Sequence, residues 1–205
     1  NTGIGASRLK QKYEDMRANY CGLPDIDLYK FDASLVESEI NNMSRGKAAG
    51  LDGLSAEHLQ YCHYALPTVL SKLFNLMIHR GYVPETFCQS YTVPLLKGNC
   101  NIHSKSLSAN DFRGISISPI ISKIFEHCIL HRYNMFFTSS DNQFGFKKNS
   151  GCMHAIHTFR STVDYFVTRG STVNVCSLDL SKAFDKMNHH GLFVKLTDRH
   201  IHVNL

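Results

Sequence analysis

Several signals are missing from these 205 residues, and each absence removes a class of protein. No run approaches the ~18 apolar residues that a membrane-spanning helix needs, and no basic start leads into an apolar stretch of the signal-peptide kind. Repeats and low-complexity tracts are missing too. The seven cysteines are odd in number and include no C-x-x-C pair, which argues against a disulfide framework and for reduced thiols in an intracellular protein, nuclear or cytoplasmic. The chain starts at Asn1 without a Met and stops at Leu205 without a Gly or Pro, so both ends look cut.

What remains is ordinary globular material. With 43% hydrophobic and 19% charged residues the chain has enough apolar mass for one good-sized core or two small ones. The formal charge of +5 is spread along the chain, which permits nucleic-acid binding without demanding it.

Residues 1 to 31 mix charge, Gly3, Gly5, Gly22 and Pro24 with little periodicity and read as a tail or linker remnant. From residue 32 onward the pattern belongs to a folded domain. Ser34 and Glu37 have capping-box spacing before a short helix carrying Leu35, Val36, Ile40 and Met43. A glycine-rich loop, RGKAAGLDG from Arg45 to Gly53, precedes a second helix near Ser55, and a third over Thr68 to Arg80 turns Val69, Leu70, Leu73, Phe74 and Met77 inward. Ser90 to Leu96 predicts a strand that Pro94 confines to an edge. Ser118 and Pro119 predict the cap and first position of a helix with Ile120, Ile121, Ile124, Phe125, Cys128 and Ile129. After a turn at QFGFKK, Ser150 opens a helix with Ile156, Phe159, Val163 and Phe166 inward, ended by Gly170. Val173 to Leu180 is nearly continuously apolar, as in a strand buried on both faces. Helices and strands intermix, so the class is α/β or α+β, helix-rich with a few strands.

The chemistry concentrates in SLDLSKAFD, Ser177 to Asp185. A carboxylate at the end of a buried apolar strand needs a cation, and Asp179 has no charged neighbour on its own strand face. Magnesium answers that need, because it binds through one or two carboxylates and leaves its other positions to water and phosphates. A helix cap or a buried ion pair also answers it, and spacing alone favours that reading over a metal. The histidine groups, His127 with His131, His154 with His157 beside Cys152, and His189 with His190, have neither zincin nor zinc-finger spacing and read as polar helix faces.

LDLSKAFD resembles the first catalytic motif of reverse transcriptases, in particular those of non-LTR retrotransposons. The likeness extends upstream in order. Gly50 to Gly53 is similar to the family's Gly-Pro-Asp-Gly loop, and Val83 to Phe87 to its Val-Pro-x-x-aromatic segment. Val93 to Lys97 matches its V-P-L-x-K strand end, Asp111 to Ser116 its D-F-R-P-I-S segment, and Gln143 to Phe146 with Ser150 and Ala155 its Q-F-G-F turn. Six ordered matches are hard to reach by chance, although each alone is weak.

The resemblance implies a right-hand polymerase fold, with fingers and an incomplete palm over residues 32 to 205, and RNA-directed DNA polymerase activity. It implies that Asp179 and the carbonyl of Leu180 hold magnesium, that Lys97 and Arg113 hold the triphosphate, and that Phe184 lies under the sugar as a steric gate. Gln143, Phe144, Gly145, Phe146 and Lys147 would line the template path. RNA template, DNA primer and deoxynucleoside triphosphates are the implied partners. Lys182 and Asp185 read as a local ion pair. The chain departs from the pattern at Gly114, where proline is usual, and at Phe87, where tryptophan is usual. Nowhere do two aspartates adjoin, so the family's aromatic-x-Asp-Asp motif is missing. These 205 residues are therefore expected to be inactive alone, or to act as a non-catalytic RNA-binding module.

Overall fold

The computed structural model describes residues 2–20, 30–98, 107–180, 183 and 186–201. In chain order its helices are α1 (Thr2–Ala18), α2 (Ala33–Asn42), α3 (Ala56–Gln60), α4 (Leu66–Arg80), α5 (Ile120–Arg132), α6 (Cys152–Val167) and α7 (His189–Asp198). Between α4 and α5 lie the strands β1 (Tyr91–Leu96) and β2 (Phe112–Ile117), an antiparallel pair. The class is thus helix-rich α+β, as expected. Two compact units emerge, one of Asn1–Ala18 with Met135–Arg199, the other of Asn19–Asn134 with His200–Leu205.

The second unit has a closed core. Its entry is set by Asp32, whose Oδ1 accepts the Leu35 amide at 2.7 Å and so caps α2. Ser34 does not cap the helix as its spacing suggested. Its hydroxyl donates to the same carboxylate oxygen at 2.9 Å, since an aspartate can accept twice where a serine gives its proton away. Leu35, Val36 and Ile40 of α2 meet Leu70, Phe74 and Met77 of α4 and Ile120, Ile124, Phe125 and Cys128 of α5, all buried. Phe31, Phe74 and Phe125 meet edge-on or tilted, with centroids 5.1 to 6.5 Å apart. The backbone of Phe31 is clamped as well: its carbonyl accepts from the Ser71 hydroxyl at 2.6 Å and the Asn75 amide at 2.8 Å.

Two sequence expectations shift here. Val69 is 59% exposed, because the buried stripe of α4 runs through 70, 74 and 77 and leaves 69 on the outer flank. Pro119 is the cap of α5 rather than its first residue, and its carbonyl accepts the Ser122 hydroxyl at 2.8 Å. Glu39, buried on α2, faces α5, where the Nδ1 atoms of His127 and His131 approach its two oxygens at 3.4 and 3.0 Å.

The first unit is built differently. Residues 2–18, read as part of a tail, form helix α1, and this is a correction. Weak amphipathicity and Gly3 and Gly5 conceal the helix, which is held by packing: Tyr13 lies 5.3 Å from the Phe193 ring of α7 and 6.0 Å from His190. Helix α6 buries none of its residues, and Ile156, Phe159 and Phe166, expected to face inward, are 51%, 52% and 45% exposed. Gly170 does end that segment, through bonds from its amide to Val167 and from the Ser171 amide to Phe166. Val173 to Leu180 is not a buried strand: no pairing involves it among the described residues, and Val175, Leu178 and Leu180 are 60%, 89% and 78% exposed. Apolar continuity shows what a strand would like to bury, and pairing requires neighbours that these residues do not meet.

Candidate functional site

The glycine loop, the hairpin and the start of α5 are brought together in the second unit. Gly50 to Gly53 is a tight turn closed by the Gly53 amide on the Gly50 carbonyl at 3.1 Å, with Gly53 left-handed at φ +70°. Asp52 holds the exit by accepting the Leu54 amide at 3.1 Å. A β-carbon on Gly50 would lie 2.8 Å from the Pro119 Cα, so only glycine allows this turn to approach the cap of α5. The Tyr91 hydroxyl at the start of β1 donates to the Ala49 carbonyl at 2.9 Å and fixes the hairpin to the loop.

The register of that hairpin pairs Tyr91 with Ile117, Pro94 with Gly114 and Leu95 with Arg113, and the Lys97 amide extends the ladder to the Asp111 carbonyl at 2.9 Å. Hydrogen-bonded and non-hydrogen-bonded pairs alternate, so bonding at 97 places Pro94 in a non-hydrogen-bonded pair, where its missing N–H costs nothing. Gly114 opposite it is also a close-packed position, since a β-carbon there would lie 2.9 Å from the Thr92 methyl.

Alternation also decides which residues share a face. Lys97, Leu95 and Val93 on one strand and Arg113 and Ile115 on the other point the same way. Lys97 and Arg113 are therefore diagonal neighbours, a relation that sets residues about 7–8 Å apart, within reach of long side chains. Both are exposed, and among the described residues neither forms an ion pair; the Lys97 ammonium donates to the Asn110 carbonyl at 2.6 Å. Asp111, across from Lys97, has a carboxylate oxygen engaged by the Ser108 amide and hydroxyl at 2.8 and 3.0 Å. Two cations without an ion pair among the described residues, at one end of an apolar strip, make a place for an anion with an uncharged group beside it, and Asp111 on the same face has its carboxylate turned to Ser108.

In the first unit, the turn Gln143 to Lys147 is tightly organised. The Gln143 amide bonds the Ser140 carbonyl at 3.0 Å, its side chain reaches the Gly145 carbonyl at 3.3 Å, and the Lys147 ammonium bonds the Ser140 carbonyl at 3.2 Å. Phe144 is half-buried, whereas Phe146 is 95% exposed and left-handed at φ +57°. An aromatic residue in that conformation carries about 1–2 kcal/mol of strain. Asp179 and Leu180 are exposed in the unpaired stretch, so the buried carboxylate that the sequence suggested is not what the structure holds. Phe184, Lys182 and Asp185 lie outside the described residues. Asp179 stands in the first unit, and Lys97 and Arg113 in the second.

Comparison with known proteins decides the affiliation. A family model described as reverse transcriptase (RNA-dependent DNA polymerase) matches residues 100–204. The chain belongs to the reverse transcriptase family. It is 25% identical over 167 residues to the RNA-directed DNA polymerase from mobile element jockey of Drosophila funebris, covering 78% of this chain and 18% of that protein. Drosophila melanogaster supplies two more relatives. The probable RNA-directed DNA polymerase from transposon BS is 22% identical, covering 77% of this chain and 17% of its own length. That from transposon X-element is 24% identical, covering 84% and 19%. The non-LTR retrotransposon likeness read from the motifs is thereby borne out, and the chain spans about a fifth of the length of these relatives. Arg113, residues 143 to 147, Asp179, Leu180 and Phe184 fall inside the reverse transcriptase match, and Lys97 and the Gly50–Gly53 turn lie upstream of it.

Reverse transcriptases as a family use divalent metal ions. The donor set here does not make a metal site by itself: Asp179 is one exposed carboxylate, and among the described residues no three His, Cys, Asp or Glu side chains are gathered to hold an ion. The sequence signals missed β2, whose alternation of Phe112 and Arg113 through Ile117 was present to be read, and missed the Glu39 pairing, which no local spacing announces.

Proposed function

We propose that this chain is the nucleotide-holding part of an RNA-directed DNA polymerase that copies an RNA template from a DNA primer by two-metal nucleotidyl transfer in the complete enzyme. The observation that carries the reading is the convergence of Lys97 and Arg113 on one face of the hairpin, with no carboxylate paired to either among the described residues. In that role they bind the triphosphate of an incoming deoxynucleotide, the guanidinium as a planar fork and the ammonium as a point charge. Asp179 and the Leu180 carbonyl are assigned to magnesium, Phe184 to the sugar, and Gln143, Phe144, Gly145, Phe146 and Lys147 to the template.

Titration of the purified chain with a magnesium deoxynucleoside triphosphate tests the reading. Charge-assisted contacts contribute about 1.5–3 kcal/mol each, so Arg113→Ala and Lys97→Ala should each weaken binding roughly 10- to 100-fold. Unchanged affinity in both variants overturns the assignment. With one such aspartate and no adjoining pair, the 205 residues should not extend a primed RNA template, and robust extension would contradict that expectation. The exposure of Asp179 favours a second reading, a non-catalytic RNA-binding module. Salt-sensitive RNA binding that survives Asp179→Asn, without any triphosphate binding, selects it.

A further inference from the structure

A second surface of the larger unit has the composition of a stacking platform. After α3 the chain turns through Tyr61, Cys62, His63 and Tyr64, and the two tyrosines are 72% and 87% exposed, so neither ring is used for the core. Both are nevertheless arranged. The Arg45 guanidinium lies over the Tyr61 ring, 5.2 Å from its centroid, and the His63 and Tyr64 rings sit 4.2 Å apart at 33°.

The cation is held in place from behind. Arg45 Nε donates to Gln60 Oε1 at 2.7 Å, while the Gln60 amide nitrogen donates to the carbonyls of Ile40 and Met43 at 3.0 Å each, tying the end of α2 to α3. Glu57, a carboxylate of this patch, is engaged by the Gly46 amide at 2.5 Å, and that bond, followed by its own backbone amide, the Ser55 hydroxyl and Arg45, holds its pKa below the ordinary value. Three residues of chain span at most about 11 Å, so the two rings are set within reach of neighbouring bases on one strand. Exposed π-faces with a fixed cation above one of them suit unpaired bases and their phosphates, because every base offers a face and no hydrogen-bond code is needed.

We infer that Arg45, Tyr61, His63 and Tyr64 form a sequence-tolerant stacking site for single-stranded nucleic acid. It contains neither Lys97 nor Arg113, so nucleotide binding and strand stacking succeed or fail separately. The sequence has no tryptophan, which makes Tyr64→Trp a sole reporter in the full chain. An unstructured oligouridylate or oligothymidylate should quench its emission saturably, less so at higher salt, and a duplex should not. Quenching by only one of the two strands supports the site and shows which of the two it prefers. In anisotropy titrations with the same strands, Y61A/Y64A should weaken binding roughly 5- to 100-fold, whereas Y61F/Y64F should keep it, as expected for stacking rather than hydroxyl contacts. No quenching of the Y64W reporter, equal quenching by duplex, or wild-type affinity in the double alanine variant would each overturn the inference.

Discussion

The two units of this chain are made from similar residues and differ in what those residues meet. In the unit spanning Asn19–Asn134, Phe31, Val36, Phe74, Ile124 and Cys128 are almost completely shielded from water. In the other, Val194 is the buried apolar residue among those described, while the apolar side of α6 and the run 173 to 180 stand in solvent. The residues assigned to the triphosphate ride on the unit with a core, and the residue assigned to magnesium rides on the one without. Sequence hydrophobicity alone does not predict this asymmetry. A contiguous apolar stretch becomes a strand or a buried helix face only where a second surface arrives to cover it.

That comparison breaks most readily at Phe74. Truncation to Ala should cost about 3–5 kcal/mol, because it empties a site in which three aromatic rings already interlock. Phe159→Ala on α6 should change stability by no more than about 0.5 kcal/mol. Chemical denaturation of both variants measures the contrast, and equal losses would remove it.

Thiol reactivity sharpens the same point chemically. Burial, reinforced by the nearby Glu39 carboxylate, pushes the Cys128 thiol up to about 12 from an ordinary 9.0. Its thiolate fraction near neutrality should fall about a thousandfold, since each pKa unit is tenfold. Cys62, Cys88, Cys152 and Cys176 are exposed free thiols. Native alkylation followed by mass mapping should label those four and spare Cys128 until the chain is unfolded.

A smaller effect is expected at the N-cap of α2. Asp32→Ala should cost about 1 kcal/mol at neutral pH. The Leu35 amide first, then the Ser34 hydroxyl and Arg132, hold the Asp32 carboxyl below its ordinary 3.8. A depressed folded pKa contributes stability that is complete above the ordinary value and lost as pH falls through the folded one. The gap between wild type and variant should therefore close in acid, and a gap that persists there would place the effect elsewhere.

Legibility in the sequence followed the range of the interactions. The edge character of β1 could be read because Pro94 carries its constraint within itself, and the close of α6 because Gly170 does. The cap of α2 was misassigned by two residues, since Asp32 and Ser34 are both good caps and only geometry shows that one serves the other. Helix α1 was invisible because its support comes from Tyr13 against α7, far along the chain. At the candidate site, Lys97 and Arg113 were singled out through ordered motif likeness, but their shared face required β2 and its register. Tyr61 and Tyr64 gave no sequence signal, because exposure and the placement of Arg45 are tertiary facts.

Hydrogen exchange resolved to individual amides tests the contrast between the units most directly. Amides of α5 around Ile124 and Cys128 should exchange only through global opening, whereas those of Val173 to Asp179, which bond no backbone partner among the described residues, should exchange near the intrinsic rate. Protection of the 173 to 179 amides equal to that of α5 would contradict the account, for it would mean that Asp179 already sits at the end of a paired strand.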